Sequence, residues 1–445
     1  MQINKNWVPL LIFVLLVLDL LAFTSILPLF PALIDYYGLG QRRDWLYDGV
    51  ELFCKFFQNT IGTPFSKSLH SVFFGGVLGS LYCLLQYLSS PLLGALSDVY
   101  GRKPILLLSI FGTLLSYAIW ANATTFSYFV LSRLVGGLSK ASVSICIAFM
   151  ADVYPQNKVG QGMALIGGAF SVGFLVGPMT GVYFSHIAGA DSELAISGPA
   201  KLAVVLTIIE VVFVAIVIPE TLDISQRKTL IDKVFKNCFL YIKPNALFQF
   251  AAVGNRFGVR KMQSYGRIYF VYMFFYSGLE FTLSFLTHSR FNYNSMQQGK
   301  MYFYVGILMF IVQGGIVRRI PNNRQHEAII YGISFTIPAY IMIGYSSNEK
   351  VFYVGLALYA FASSLVVPCL TSCISNEATD DVKGVTIGVF RCLGALARSV
   401  SPLVASTVFW LLGPTVCYIT GGVLLIIPVL MLQQLSPSAI AVKEE

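Results

Sequence analysis

Long apolar runs separated by shorter polar segments recur along the whole chain. A helix needs about 20 apolar residues to cross the hydrocarbon core of a bilayer, and the pattern predicts twelve such helices, here called spans 1 to 12. They cover residues 8–34, 71–93, 104–121, 126–150, 161–187, 200–218, 267–288, 299–317, 327–346, 350–374, 384–411 and 413–434. The first run is too long for a signal peptide and lacks a small-residue cleavage site, so we expect it to remain as span 1.

One long polar segment, between spans 6 and 7, divides the spans six plus six. The division predicts an all-α polytopic membrane protein with two pseudo-symmetric six-helix bundles at residues 1–219 and 267–435, a basic linker at 220–266 and a tail at 436–445. We interpret the linker as a surface helix near anionic lipid headgroups, with a regulatory or partner-binding role as the alternative. The segment between spans 1 and 2 is expected to form a short helix over the mouth of the bundle.

The composition favours a membrane protein and excludes an ordinary soluble one, with 56% hydrophobic residues, 11% charged residues and a mean hydropathy of +0.72. A net charge of +9 would suggest nucleic-acid binding in a soluble domain, but in a membrane protein the distribution of Lys and Arg between loops matters instead. Eighteen of them fall on the side that holds both chain ends and eight on the other. The positive-inside rule therefore predicts that both termini are cytoplasmic, in either the plasma membrane or an endomembrane.

Seven charged side chains lie within the predicted spans and away from the first two residues of each, at depths where charges are costly and usually face a cavity or a partner. The acids are Asp19, Glu210 and Glu280, and the bases are Arg133, Lys140, Arg391 and Arg398. The two bases on span 4 are seven residues apart, as are the two on span 11. Seven residues make about two helical turns, so each of these spans presents a basic stripe.

The four bases exceed the three acids, and an anionic substrate would complete the pairing. Our hypothesis is that Arg398 and Lys140 attract the negative group of the substrate, while Asp19 or Glu280 supplies coupling by taking up a proton. The alternative is that these two acids form structural ion pairs with the bases. Glu210 is interpreted as an interfacial or interhelical hydrogen-bond partner.

Two other residues of span 7 have both a functional and a structural interpretation. Tyr276 is the member of an aromatic cluster best suited to stack on an aromatic substrate, and packing against lipid or other helices is the alternative. His288 either relays protons or is an interfacial residue at the end of the span.

A charged segment between spans 2 and 3 has the sequence GALSDVYGRKPIL. It resembles the loop signature of the major facilitator superfamily, with Gly94, Asp98, Gly101, Arg102 and Lys103 at the characteristic positions. The resemblance implies the twelve-span fold of that superfamily, in which spans 1, 4, 7 and 10 line a central cavity.

The resemblance also implies a gating role for this segment. Asp98 is expected to meet the start of span 11 near Gly384, and Arg102 is expected to pair with Asp152 below span 4. These contacts would hold the two halves together in the outward-open state.

Span 5 carries Gly173, Gly177, Pro178 and Gly181, which resemble the Gly-Pro motif of exchangers in the superfamily. Small residues at every fourth position also let membrane helices pack closely. Close packing and a contribution to a hinge or to leak sealing both remain open.

Several stretches narrow the resemblance to the animal tetracycline-transporter-like group. They are 18–23, 218–221, 277–288, 297–301, 366–370 and 393–398. Members of this group are thought to move organic anions. Bacterial tetracycline exporters use an acid on span 9, whereas 327–346 has none beyond Glu327 at its edge, so tetracycline export itself is not expected.

The sequence therefore predicts a secondary transporter of amphipathic organic anions or drugs, working by alternating access with proton- or anion-coupled antiport. The alternative is a receptor or scaffold with a transporter fold that moves nothing. No P-loop, paired His-Glu metal helix or nucleophile elbow occurs, so an enzyme is not expected. The eight cysteines show no metal-type spacing. We expect no metal, cofactor or nucleic acid, and a monomer whose partners are the substrate anion, a proton or counter-anion, and the lipid bilayer.

Overall fold

The computed structural model describes residues 7–61, 67–154, 159–188, 193–222, 240–254, 258–379 and 382–435. These residues are predominantly helical and include no strand. Residues 223–239 and 255–257 of the basic linker and the whole tail at 436–445 lie outside the described residues, so the predicted domain boundaries remain predictions.

The first half of the chain contains α1 (Val8–Thr24), α2 (Phe30–Tyr37), α3 (Trp45–Ile61), α4 (Lys67–Tyr100), α5 (Arg102–Ala121), α6 (Phe126–Ser139), α7 (Ser142–Val153), α8 (Val159–Ala188) and α9 (Glu193–Ile216). The second half contains α10 (Pro244–Phe248), α11 (Val259–Phe291), α12 (Ser295–Gly315), α13 (Gln325–Tyr345), α14 (Glu349–Glu377), α15 (Lys383–Leu424) and α16 (Ile426–Gln433). The helix expected between spans 1 and 2 is present as α3.

Ten helical stretches within the described ranges are long and apolar enough to cross a membrane. One of them, Lys383–Gln433, has 51 residues, more than twice the length that one crossing needs. The chain reverses its direction at Gly413, where a φ of 83° interrupts the helix. The arms on either side of this residue therefore lie together, and the thiol of Cys417 donates to the carbonyl oxygen of Ala405 at 3.3 Å. This stretch therefore supplies spans 11 and 12, α12 supplies span 8, and the prediction of twelve spans is confirmed.

Span 4 is broken in its middle, which the hydrophobic pattern does not predict. Its two helices, α6 and α7, are separated at Lys140 and Ala141. The hydroxyl of Ser109 on α5 donates to the carbonyl oxygen of Ser139 at 2.6 Å and accepts from the amide of Ala141 at 3.2 Å. A broken helix is tolerated inside a membrane where neighbouring side chains satisfy the freed backbone groups in this way.

The segment expected to be a loop between spans 2 and 3 is almost entirely helical. Helix α4 continues to Tyr100 and α5 begins at Arg102, so only Gly101 separates them. Its φ of 105° lies in the region that favours glycine. The motif is therefore a tight corner between two helices, and we call this end of the molecule the motif side and the opposite end the α3 side.

The glycines of span 5 lie directly against span 1. An added Cβ at Gly173, Gly177 or Gly181 would meet atoms of α1 or of the turn after it, and the closest overlaps involve the hydroxyl of Thr24 and the carbonyl oxygen of Ser25. The Thr24 hydroxyl also donates to the carbonyl oxygen of Gly173 at 2.9 Å. This close approach is what the helix-packing interpretation of the stripe requires.

The two halves meet along the α3 side. Helix α4 packs against α15, and α8 packs against α12. The Ser80 hydroxyl accepts a hydrogen bond from the amide of Leu403 at 2.8 Å, and the rings of Phe30 and Phe281 lie 5.9 Å apart. One buried apolar cluster runs through both halves here, whereas the motif side of the first half has a core of its own. The α3 side is therefore closed in this structure.

Candidate functional site

A buried ion pair lies between α1 and the break in span 4. Lys140 Nζ donates to Asp19 Oδ1, and the Ser142 hydroxyl donates to the second carboxylate oxygen at 2.7 Å. Asp19 and Lys140 are 2% and 3% exposed. Because each charge has its counter-ion, Lys140 is not available to an anionic substrate in this state, and the arrangement matches the ion-pair alternative.

Arg133, on the same span, is not ion-paired with any described acid. Its guanidinium lies over the rings of Trp120 and Phe129, at 5.0 and 5.4 Å from the ring centroids, and the residue is 6% exposed. Aromatic faces can stabilise a desolvated guanidinium electrostatically. Tyr82 lies within electrostatic range of both Arg133 and Lys140, as expected if the two bases share one face.

Glu210, on α9, is the third acid of the predicted spans. It is 1% exposed, and neither carboxylate oxygen accepts a hydrogen bond from the described residues. The carboxyl group lies within electrostatic range of Asp19 and Lys140. The hydrogen-bond partner that we expected for it is not found in the described part of the chain.

Glu280 lies in a cluster of tyrosines in the second half. Its Oε1 accepts hydrogen bonds from Tyr276 at 3.2 Å and from Tyr359 at 3.1 Å. The Tyr276 ring stacks on Tyr272 and on Tyr359, with centroids 5.3 and 5.7 Å apart. In this state the ring and the hydroxyl group of Tyr276 are therefore both engaged in contacts within the protein, and its role toward a substrate stays a prediction.

Arg398, on α15, is solvent-exposed and makes no hydrogen bond or ion pair with the residues that the structure describes. It lies within electrostatic range of Glu280 in its own half and of Cys83 on α4 of the other half. Arg391 is also within range of it, as the predicted basic stripe requires. Arg398 thus places a positive charge that no described acid contacts near the junction of the two halves.

The predicted site residues consequently fall into separate groups rather than one cluster. Asp19 and Lys140 neutralise each other in the first half, while Glu280 and Arg398 lie near each other in the second. The sequence interpretation missed Ser142 and Tyr359, which hold the two carboxylates. Ser142 follows Lys140 by two residues and could have been noticed as a polar group inside span 4, but no local signal points to Tyr359, which is 79 residues from Glu280.

At the motif side, Arg102 bridges two carboxylates. Its guanidinium contacts Asp98 at 2.5 Å and Asp152 at 3.0 Å, so the expected pair between Arg102 and Asp152 is present. The contact of Asp98 with the region of Gly384 stays a prediction. An added Cβ at Gly94 would meet no other atom within 4 Å, so close packing does not require glycine there in this state.

Glu220, at the end of span 6, completes this corner and was not predicted to do so. Its carboxylate accepts from the backbone amides of Arg102 at 3.0 Å and Lys103 at 3.1 Å. A negative charge at a helix N-terminus is stabilising because the first amides of a helix have no partner within it. The Lys103 ammonium donates to the carbonyl oxygen of Ala215 at 2.8 Å. Both the Glu220 carboxylate and the Ala215 carbonyl group therefore connect this corner to the end of span 6.

Comparison with known proteins agrees with this architecture. The family model described as Major Facilitator Superfamily matches residues 12–402. Major facilitator superfamily domain-containing protein 10 of Homo sapiens is 40% identical over 442 residues, which cover 98% of this chain and 94% of that protein. The class C tetracycline resistance protein of Escherichia coli is 24% identical over 335 residues, covering 75% of this chain and 79% of that protein.

A solved structure is similar over almost the whole chain. The crystal structure of the human organic anion transporter MFSD10 (TETRAN) superposes with a TM-score of 0.80 and 39% sequence identity, covering 97% of this chain and 100% of that one. The chain belongs to the major facilitator superfamily, and this membership identifies a multi-pass transporter rather than an enzyme.

Proposed function

We propose that this chain is a secondary transporter of amphipathic organic anions that works by alternating access, with antiport of a counter-anion or a proton. The similar human structure is described as an organic anion transporter, and the shared identity extends over nearly the full length of both chains. The same substrate class is therefore the natural first expectation for this chain.

The observation that carries the proposal is the exposed guanidinium of Arg398 near the junction of the halves, which no described acid contacts. Enclosing an unpaired charge in a low-dielectric interior costs several kcal/mol. The halves would have to enclose this charge in the occluded state, and a bound anion would neutralise it. The need to neutralise Arg398 favours anion exchange. An anion bound from either side of the membrane would allow the protein to pass through the occluded state, whereas the empty protein would do so more slowly.

Lys140 has a different place in this proposal from the one that the sequence suggested. Its ammonium is neutralised by Asp19 in this state, so Arg398 makes the first contact with the anionic group. A proton taken up by Asp19 would release Lys140, which is how proton coupling would enter.

We assign the motif side and both chain ends to the cytoplasm, on the excess of Lys and Arg at that side. With this orientation the structure is closed toward the outer or luminal side. The corner at Arg102 then acts as the cytoplasmic gate element.

The test is flux of a fluorescent aryl sulfonate into proteoliposomes containing purified protein. Replacing Arg398 by Ala should reduce uptake by about 10- to 100-fold, the loss expected for a charge-assisted hydrogen bond of roughly 1.5–3 kcal/mol. The matched control is Arg319→Ala, which removes an exposed arginine at the motif side of span 8. Both variants are compared at equal reconstituted amounts.

Wild-type flux in Arg398→Ala protein would contradict the assignment of Arg398. Acceleration by preloaded anion identifies anion exchange, whereas acceleration by an imposed pH gradient alone identifies proton coupling. Thermal stabilisation by the probe without any flux would instead favour a receptor that moves nothing.

A further inference from the structure

A polar contact joins the two halves at the α3 side. His288, near the end of α11 in the second half, has its Nε2 3.0 Å from Oδ2 of Asp35 on α2 in the first half. The other oxygen of Asp35 accepts from the Ser71 hydroxyl on α4. His288 and Asp35 side chains are 34% and 45% exposed, so water on the α3 side reaches both. We call these three residues the α3-side latch.

The hydrogen bonds of the imidazole show which protonation state fits the latch. The Nδ1 atom of His288 lies 3.3 Å from the carbonyl oxygen of Tyr293, while Nε2 faces the Asp35 carboxylate. Both neighbours are acceptors, and neutral imidazole has only one N–H to donate. Either neutral tautomer therefore sets a nitrogen lone pair against an oxygen, whereas the imidazolium ion satisfies both contacts and adds attraction to the carboxylate.

Five other ionisable groups in the described ranges lie near the latch. Tyr47 of α3 is within electrostatic range of Asp35, whereas the guanidinium of Arg42 lies 3.9 Å from the ring centroid of Tyr36 on α2. His70 of α4 contacts the ring of Trp410 edge-on, and the fifth group is Arg290 of α11. Arg290 donates to the carbonyl oxygens of Ile343, Gly344 and Ser346, away from His288. Among the residues that the structure describes, Asp35 is the acid that contacts the His288 ring.

We propose that His288 is a proton-binding site and that its protonation holds the α3 side of the transporter closed. The inference rests on the proposed alternating access, because opening this side separates α2 and α4 from α11 and so breaks the latch. Below the pKa of His288 the latch has all its contacts. As the pH rises through that value one contact is lost, and the open state gains population.

The experiment measures the opening directly, without a substrate. Spin labels are attached at Leu39→Cys and Val351→Cys, two exposed positions on the α3 side of opposite halves, in protein whose native cysteines are replaced. Distance distributions in lipid nanodiscs are compared at about pH 5.5 and pH 8, the range in which histidine changes charge. The closed-to-open ratio should be about two- to fivefold higher at the lower pH, as for a partly exposed ion pair.

Two variants assign the effect to the latch. His288→Gln and Asp35→Asn should each abolish the pH dependence, and the second variant serves if the first does not fold. His326→Gln is the matched control, since His326 contacts Leu432 and Tyr265 within the second half, and it should retain the full shift. His70→Gln should also retain it.

Three results would overturn the inference. The pH-dependent change in the closed-to-open ratio could survive in His288→Gln and Asp35→Asn, it could have the opposite sign, or it could be absent from the protein with an unmodified latch. Loss of the shift in His70→Gln alone would overturn it as well. Anion flux without a pH-dependent distance would contradict only the latch, whereas a pH-dependent distance without flux would contradict only the proposed function.

Discussion

Replacing Asp19 by Asn would leave the ammonium of Lys140 buried without its counter-ion. The two residues are 2% and 3% exposed, so solvent cannot take the place of the carboxylate. The amide group of Asn carries no charge, and its nitrogen can only donate, so it replaces just one of the two acceptor oxygens of Asp19. Removing one partner of a buried ion pair costs about 3–5 kcal/mol, which is the destabilisation that we expect for Asp19→Asn.

Thermal unfolding of the purified protein in detergent, followed by intrinsic fluorescence, measures this effect. For a cooperative unit of about 150–250 residues each kcal/mol shifts the midpoint by about 2–4 °C, so a decrease on the order of 10 °C is expected. The matched control is the double variant Asp19→Asn with Lys140→Met, which removes both charges and keeps an unbranched side chain. Its midpoint should lie close to that of the unmodified protein.

Two results would refute the reasoning. One is a single variant that unfolds at the original temperature, and the other is a double variant as unstable as the single one. Flux measured on a stable double variant then separates the two interpretations of the pair. Retained flux identifies a structural ion pair, whereas lost flux in a stable protein identifies a role in coupling.

Two further predictions concern the gate and the helix contact of span 5. Asp98→Asn neutralises the carboxylate that we expect to meet the start of span 11 when the motif side is closed, so we expect a several-fold shift toward opening on the motif side. Labelling of a cysteine probe there measures the shift, and unchanged labelling would count against the gate. Gly181→Ala sets a Cβ against a backbone carbonyl oxygen that cannot rotate away, so a loss of about 1–3 kcal/mol is expected in thermal unfolding. Gly167→Ala on the same helix meets no other atom within 4 Å and should be nearly neutral; equal losses in the two variants would contradict the packing argument.

The number of spans follows from the sequence because crossing a bilayer requires a fixed apolar length. The breaks within spans do not follow from it. The hydropathy of span 4 continues through Lys140 and Ala141, and the break there depends on Ser109, which comes from a different helix. An average over apolar residues contains no information about such a contact.

The charged residues of the site could be identified from the sequence, because a charge is conspicuous inside an apolar run. Their partners were not identifiable. Asp19 had several bases within reach in principle, and only the packing of α1 against span 4 selects Lys140. His288 and Asp35 are 253 residues apart in sequence, so their contact exists only through the closure of the two halves.

The turn at Gly413 bears on how the end of the chain enters the membrane during synthesis. The helix is interrupted only at this residue, and Pro414 begins the returning arm without needing a hydrogen-bond acceptor for its nitrogen. No hydrophilic loop has to be carried across the lipid between these two arms. They are therefore expected to leave the translocation machinery together as a helical hairpin, and an epitope tag inserted at this turn would impair biogenesis.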